Sequence, residues 1–138
     1  MTKREKTMKT DTKKMYNSAV DNLIVGIGND FDKWNNVDYS DNEVLDSDNK
    51  LMKEIKIKSA IRFKEELRVK SGSKFDKVIH GNSVWGFVAK KNGVHKGIPY
   101  FVGDVFKPAG WRAPAKHVRG SIFSDGTDWY SWTGPNYL

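Results

Sequence analysis

Trp111, Arg112, Lys116, His117 and Arg119 fall within nine residues, in a stretch, 110–120, bounded by Gly110 and Gly120 and stiffened by Pro114. Three permanent cations, an imidazole and an indole at this spacing suit a phosphate-bearing or acidic partner. Cations that neutralise phosphates release counterions, so the affinity they supply weakens with salt. An indole adds a stacking face worth about 1–3 kcal/mol per unpaired base. The same Trp and Arg anchors would serve a protein partner. The apolar β-type runs 102–106 and 121–123 flank the stretch, which predicts a loop on a strand scaffold, where binding residues concentrate. In the competing reading Trp111 covers the end of the sheet and the cations solvate a loop.

A secondary basic face is expected at Lys56, Lys58, Arg62 and Lys64, continuing through Arg68 and Lys70, because the even positions of 56–70 are rich in cations while Ile55, Ile57, Ile61, Phe63, Leu67 and Val69 are odd. An extended segment would line these cations along one side; a helix would bring Glu65 and Glu66 near Arg62 and dilute them. His80, His95 and His117 permit an acid–base nuclease, with His80 and His117 as the pair, since imidazole titrates near neutrality. No two of them have the i,i+4 spacing of a helical zinc motif, and the chain has no cysteine to assist. No metal, cofactor or catalytic residue is therefore assigned. Gly26-Ile27-Gly28 lacks the third glycine of a dinucleotide loop, Phe31 standing there. Asp30-Phe31-Asp32 begins a calcium-loop pattern that Trp34, Asn35 and Asp41 break.

The elements that must position these residues are read from periodicity. Residues 1–16 carry six cations and almost no apolar side chain, which predicts a disordered basic arm unable to repay its ordering entropy. Residues 17–138 are expected as a single domain. In it, 23–28 reads as a short strand followed by a polar loop to residue 49, with an acidic loop region at 28–49. Strand alternation predicts a strand at 53–58; Ser59 as N-cap, Glu65 and Glu66, and Gly72 as a terminating glycine predict a helix near 60–70. A single helix from Asp48 would scatter its apolar side chains around the whole circumference. From His80 onward lie nine of twelve glycines, all four prolines and four of five tryptophans. Runs at 83–90, 99–107, 120–123 and 129–133 read as four strands, with Asn92-Gly93 and Asp125-Gly126 as the tight turns. The fold class is α+β, with a small antiparallel sheet or barrel in the C-terminal half.

The net charge of +7 is unevenly placed: +4 over 1–16, −7 over 17–48, +6 over 49–79 and +4 over 80–138. An acidic block between basic ones either folds back on a basic surface, displays a second interaction face, or is a solvated loop. No apolar run approaches the roughly 20 residues that span a bilayer, and 1–16 lacks the apolar stretch of a signal peptide. With no cysteine, a reducing cytoplasmic setting is expected.

His80-Gly81-Asn82-Ser83-Val84-Trp85-Gly86-Phe87, 103–107 (Gly-Asp-Val-Phe-Lys), Ala113-Pro114-Ala115-Lys116 with Arg119-Gly120, and 132–138 (Trp-Thr-Gly-Pro-Asn-Tyr-Leu) together resemble a group of small uncharacterised tailed-bacteriophage proteins. The resemblance covers about the last 60 residues and implies a phage accessory protein acting inside an infected bacterium, with no established activity to carry over. The expected function is binding of nucleic acid, single-stranded or RNA, through Trp111, Arg112, Lys116, His117 and Arg119. The alternatives are a non-catalytic effector that binds and modulates a host enzyme, and a small His-dependent nuclease. Partners are thus a nucleic acid or a host protein, and no membrane.

Overall fold

Tyr16, Val20, Leu23, Ile27 and Phe31 recur at spacings of three and four, so a helix places all five on one stripe. A computed structural model, which describes the backbone of residues 3–40 and 45–136 and the side chains of 12–40 and 45–136, buries that stripe in the core as part of helix α1 (Lys3–Trp34). The run 23–28, expected as a strand, is the middle of this helix. Its glycines permit close packing: Gly26 lies under the Tyr130 hydroxyl and Gly28 under the Lys64 side chain. The expected arm 1–16 is corrected as well. The backbone is helical from Lys3, and Tyr16 is a core residue whose hydroxyl donates to Asp76 Oδ2 at 2.7 Å. The side chains of Lys3, Arg4, Lys6 and Lys9 lie outside the described residues. Asn36, with φ of 51°, turns the chain out of the helix.

Helix α2 (Ser47–Glu65) starts at Asp46, whose side chain accepts the Asn49 N–H at 2.8 Å. It replaces the expected strand at 53–58 and helix at 60–70. The scatter that argued against one long helix is real: Leu51, Met52, Ile55 and Ile61 are exposed, and only Ala60 and Phe63 are buried. Docking rests on a few good contacts. Phe63 stacks on Phe31 with centroids 4.2 Å apart, and Trp132 meets both rings edge-on. Lys64 pairs with Asp32 at 2.7 Å and Lys53 with Asp38 at 3.9 Å. Part of the acidic block thus folds back on a basic helix, the first of the arrangements its charge permitted.

The strands are β1 (Leu67–Ser71), β2 (Phe75–His80), β3 (Ser83–Ala89), β4 (Gly93–His95), β5 (Ile98–Tyr100), β6 (Asp104–Pro108), β7 (Pro114–Ser121), β8 (Tyr130–Ser131) and β9 (Gly134–Pro135). Five form an antiparallel sheet in the order β1-β2-β3-β6-β7, making the fold α+β. Val78, Val88 and Val105 join the α1 and α2 side chains in one core cluster. Phe87, Ala89, Phe106 and Tyr100 of the β4–β5 hairpin form a second on the opposite, outer face. Trp85 is the extra residue of a bulge between the pairs Val78–Gly86 and Ile79–Val84, which sends its indole to the helix side.

The turn chemistry differs from expectation. Positive φ at Lys96 (51°) and Gly97 (79°) closes the β4–β5 hairpin, whereas Asn92 uses its side chain to accept the Val102 N–H and Gly93 begins β4. Neither Gly93 nor Gly126 has positive φ. Gly72 is in the β1–β2 turn, donating to the Phe75 carbonyl, and does not cap a helix. The run 99–107 splits into β5 and β6, and 120–123 is only the end of β7. The C-terminal segment clamps back onto α1: the Trp132 N–H donates to Asp30 Oδ2 at 2.8 Å, and Trp85 Nε1 donates to the Ser131 carbonyl at 2.9 Å. Among the described residues no helix is long and apolar enough to cross a membrane.

Candidate nucleic-acid interface

Residues directly opposite in paired strands project to the same face, and one such row crosses all five strands. Lys70 faces Lys77, Lys77 faces Phe87, Phe87 faces Phe106, and Phe106 faces Val118. Phe87 and Phe106 place the row on the outer face. Its β1–β2 end therefore sets two ammonium groups side by side, an arrangement that destabilises a strand pair. The connection from β6 to β7 folds over this end. The Trp111 ring lies 4.6 Å from Lys77 Nζ, with the Phe87 ring at 5.8 Å.

Lys70, Lys74, Lys77 and Arg112 line one pocket of about 340 Å³, floored by Phe75 and Phe87 and walled by the turn 71–74. No carboxylate lines it, and among the described residues none of these four cations has a carboxylate partner. Loss of surrounding water, and then the charges of Lys70 and Arg112, hold the Lys77 ammonium below the usual lysine range. Trp111 remains 44% exposed, so its indole is accessible at the rim. The site is a cluster of cations held together against their own repulsion, with an aromatic surface beside it.

The stretch 110–120 is divided by this arrangement. Trp111 and Arg112 join the β1–β2 cations. Residues 114–120, expected as loop, are strand β7 at the sheet edge, where Lys116 and His117 are exposed and Arg119 is half-buried. Arg119 lies near Lys107, whose pKa is lowered by burial first and by Arg119 second. The sheet has carried these cations along its edge and away from the pocket. Lys70, Lys74 and Lys77 are the members that sequence reasoning did not place in the site. Their signal was the basic, turn-forming run Lys70-Ser-Gly-Ser-Lys74 followed by alternating Phe75 and Lys77.

The secondary basic face disperses. Since 56–64 is helical, Lys56, Lys58, Arg62 and Lys64 point in several directions. Arg62 pairs with Glu66 at 3.3 Å. The Lys64 ammonium, despite its desolvation, is raised above the usual lysine range by hydrogen bonds to Asp32 and Tyr39.

The histidines are not brought together. His80 packs on Phe63 and lies 3.4 Å from Glu66. His95 Nε2 is 3.1 Å from the Pro114 carbonyl, amid Phe75 and Phe106. His117 lies on β7, three strands from β2, or roughly 14 Å at the ordinary strand spacing. His80 and His117 thus cannot share one phosphorus as base and acid. Among the described residues no three His, Asp or Glu side chains are placed to hold a metal ion. Asp30 and Asp32, which began a calcium-like pattern, are used structurally by Trp132 and Lys64.

The chain belongs to a family of unknown function (DUF7717), which it matches over residues 2–137. No curated protein and no solved structure matches it.

Proposed function

We propose that this protein is a non-catalytic module that binds single-stranded nucleic acid, RNA in particular, on the outer face of its sheet. The observation that carries the reading is the convergence of Lys70, Lys74, Lys77 and Arg112 beside the accessible Trp111 ring, with no carboxylate in the pocket. Mutual repulsion among these cations is relieved when a polyanion neutralises them, and an unpaired base has a flat surface to stack on. Lys116, exposed on β7 outside the pocket, offers a further cation to a longer strand. The resemblance of the C-terminal 60 residues to tailed-bacteriophage proteins makes an accessory role in the cytoplasm of an infected bacterium the setting.

Fluorescence anisotropy with a labelled single-stranded oligonucleotide tests this. Affinity should fall steeply from 50 to 200 mM salt, and Lys77→Gln with Arg112→Gln should reduce it at least tenfold. Unchanged affinity in that double variant would refute the assignment of the site.

One observation favours an effector that binds a host protein. Leu51, Met52 and Ile55 form an exposed apolar group on α2, and Trp34 is 69% exposed at the end of α1. In the acidic stretch Asp32 and Asp38 are paired with Lys64 and Lys53, so the apolar group is the surface this reading uses. Recovery of a stoichiometric host protein from nuclease-treated extract, lost on Leu51→Glu with Ile55→Glu and retained by the Lys77/Arg112 double variant, would establish this second reading.

A further inference from the structure

We infer that the pocket between the β1–β2 turn and Arg112 takes a terminal phosphate monoester, as opposed to an internal phosphodiester of a strand. The inference rests on the proposed anion-binding role of the same site and specifies its ligand. Three observations converge on it. First, the cations are gathered and not strung out: Lys70, Lys74, Lys77 and Arg112 all line one cavity of about 340 Å³, near the lower end of the range for small-ligand sites, about 300–1,000 Å³. A surface that tracks a backbone would instead distribute its cations along a groove.

Second, the charge count matches a doubly ionised group. A phosphodiester brings one negative charge, whereas a monoester, with its second ionisation near pH 6, brings nearly two at neutral pH together with three terminal oxygens. Lys70 and Lys77 are directly opposed across β1 and β2, and Arg112 adds to the repulsion felt at Lys77. Neutralising such a group favours the ligand with more charge in the same volume.

Third, the wall supplies a neutral donor suited to the extra oxygens. The turn residue Ser73 lines the cavity and its hydroxyl can donate, whereas Ser71 is opposite Asp76 on the other face of the sheet, where its Oγ accepts from Lys90 at 2.7 Å. The Trp111 ring beside Lys77 then offers a stacking surface for the base next to the phosphate. The ligand chemistry is a phosphate monoester with an adjoining base, which belongs equally to a strand end and to a free mononucleotide.

The test uses the full-length protein and one five-nucleotide RNA made with a 5′-phosphate, with a 3′-phosphate, or with hydroxyls at both ends, plus the free mononucleotide. A phosphorylated end should bind at least tenfold more tightly than the hydroxyl-ended RNA. That ratio should fall towards one in Arg112→Gln and in Lys77→Gln. Binding of the free mononucleotide alone would support the monoester pocket while refuting the strand-binding function. Salt-sensitive binding of equal strength to all three RNAs would overturn the inference and leave the proposed function standing. Failure of every ligand to bind would overturn both.

Discussion

Replacing Gly26 by Ala sets a local preference against a tertiary contact, with opposite signs. In a helix interior Ala is better than Gly by about 1 kcal/mol, so helix propensity alone makes Gly26→Ala stabilising. The added Cβ, however, would run into the Tyr130 hydroxyl, with the ring carbon that bears it 3.1 Å away. Tyr130 is buried, with Trp129 at 4.7 Å and Trp85 at 5.9 Å between centroids, so its ring has little room to retreat. Overpacking costs typically 1–3 kcal/mol, and so direct a clash belongs near ~3 kcal/mol. The net expectation is a loss of ~2 kcal/mol after the helix gain is subtracted. Equilibrium urea unfolding reads this directly: with a slope near 1.5 kcal/mol/M the midpoint should fall by about 1.3 M. Tyr130→Phe removes the nearest atom, so Gly26→Ala should cost at least ~1 kcal/mol less in that background. Wild-type stability in Gly26→Ala, or additive effects in the double variant, would refute the packing of α1 against β8.

Tyr16→Phe should cost about 1–3 kcal/mol, because it strips the buried Asp76 carboxylate of a hydrogen bond; thermal or urea unfolding at neutral pH reports it. Burial first, and then the hydrogen bond to and charge of Asp76, push the Tyr16 hydroxyl far above its ordinary range. Its contribution is fully present below the unfolded-state value of about 10 and is lost as pH rises beyond it, so stability should decline above pH 10 in wild type and less so in Tyr16→Phe. Phe63→Ala, which removes the ring stacked on Phe31, should cost about 3–5 kcal/mol; a loss under 1 kcal/mol, on the order of a surface substitution, would mean that α2 is not anchored there. Lys77→Gln removes a like-charge contact with Lys70 and Arg112, so it should weaken oligonucleotide binding while leaving the melting temperature unchanged or raised. A lowered melting temperature would show that Lys77 serves the fold.

Most legible in the sequence were the apolar run that forms β3 and the general α+β class. The α1 stripe was present at helical spacing, yet Gly26 and Gly28 look like breakers until Tyr130 and Lys64 are seen to need the space above them. In 53–58 the alternation of apolar and basic residues mimicked a strand. The Asp46 cap, the ring of Phe63 on Phe31 and the pairing of Lys64 with Asp32 make it part of helix α2 instead, and the helix expected to run to residue 70 gives way to strand β1 at Leu67. At the candidate site, residue type alone marked Trp111 and Arg112 as binding groups. That they meet Lys70, Lys74 and Lys77, and part from Lys116, His117 and Arg119, was decided by sheet register and by the path of the β6–β7 connection. The physical reason is one of range: propensity, capping and charge act between near neighbours in sequence, whereas the side chains that share a pocket are chosen by which strands pair, in what register, and on which face.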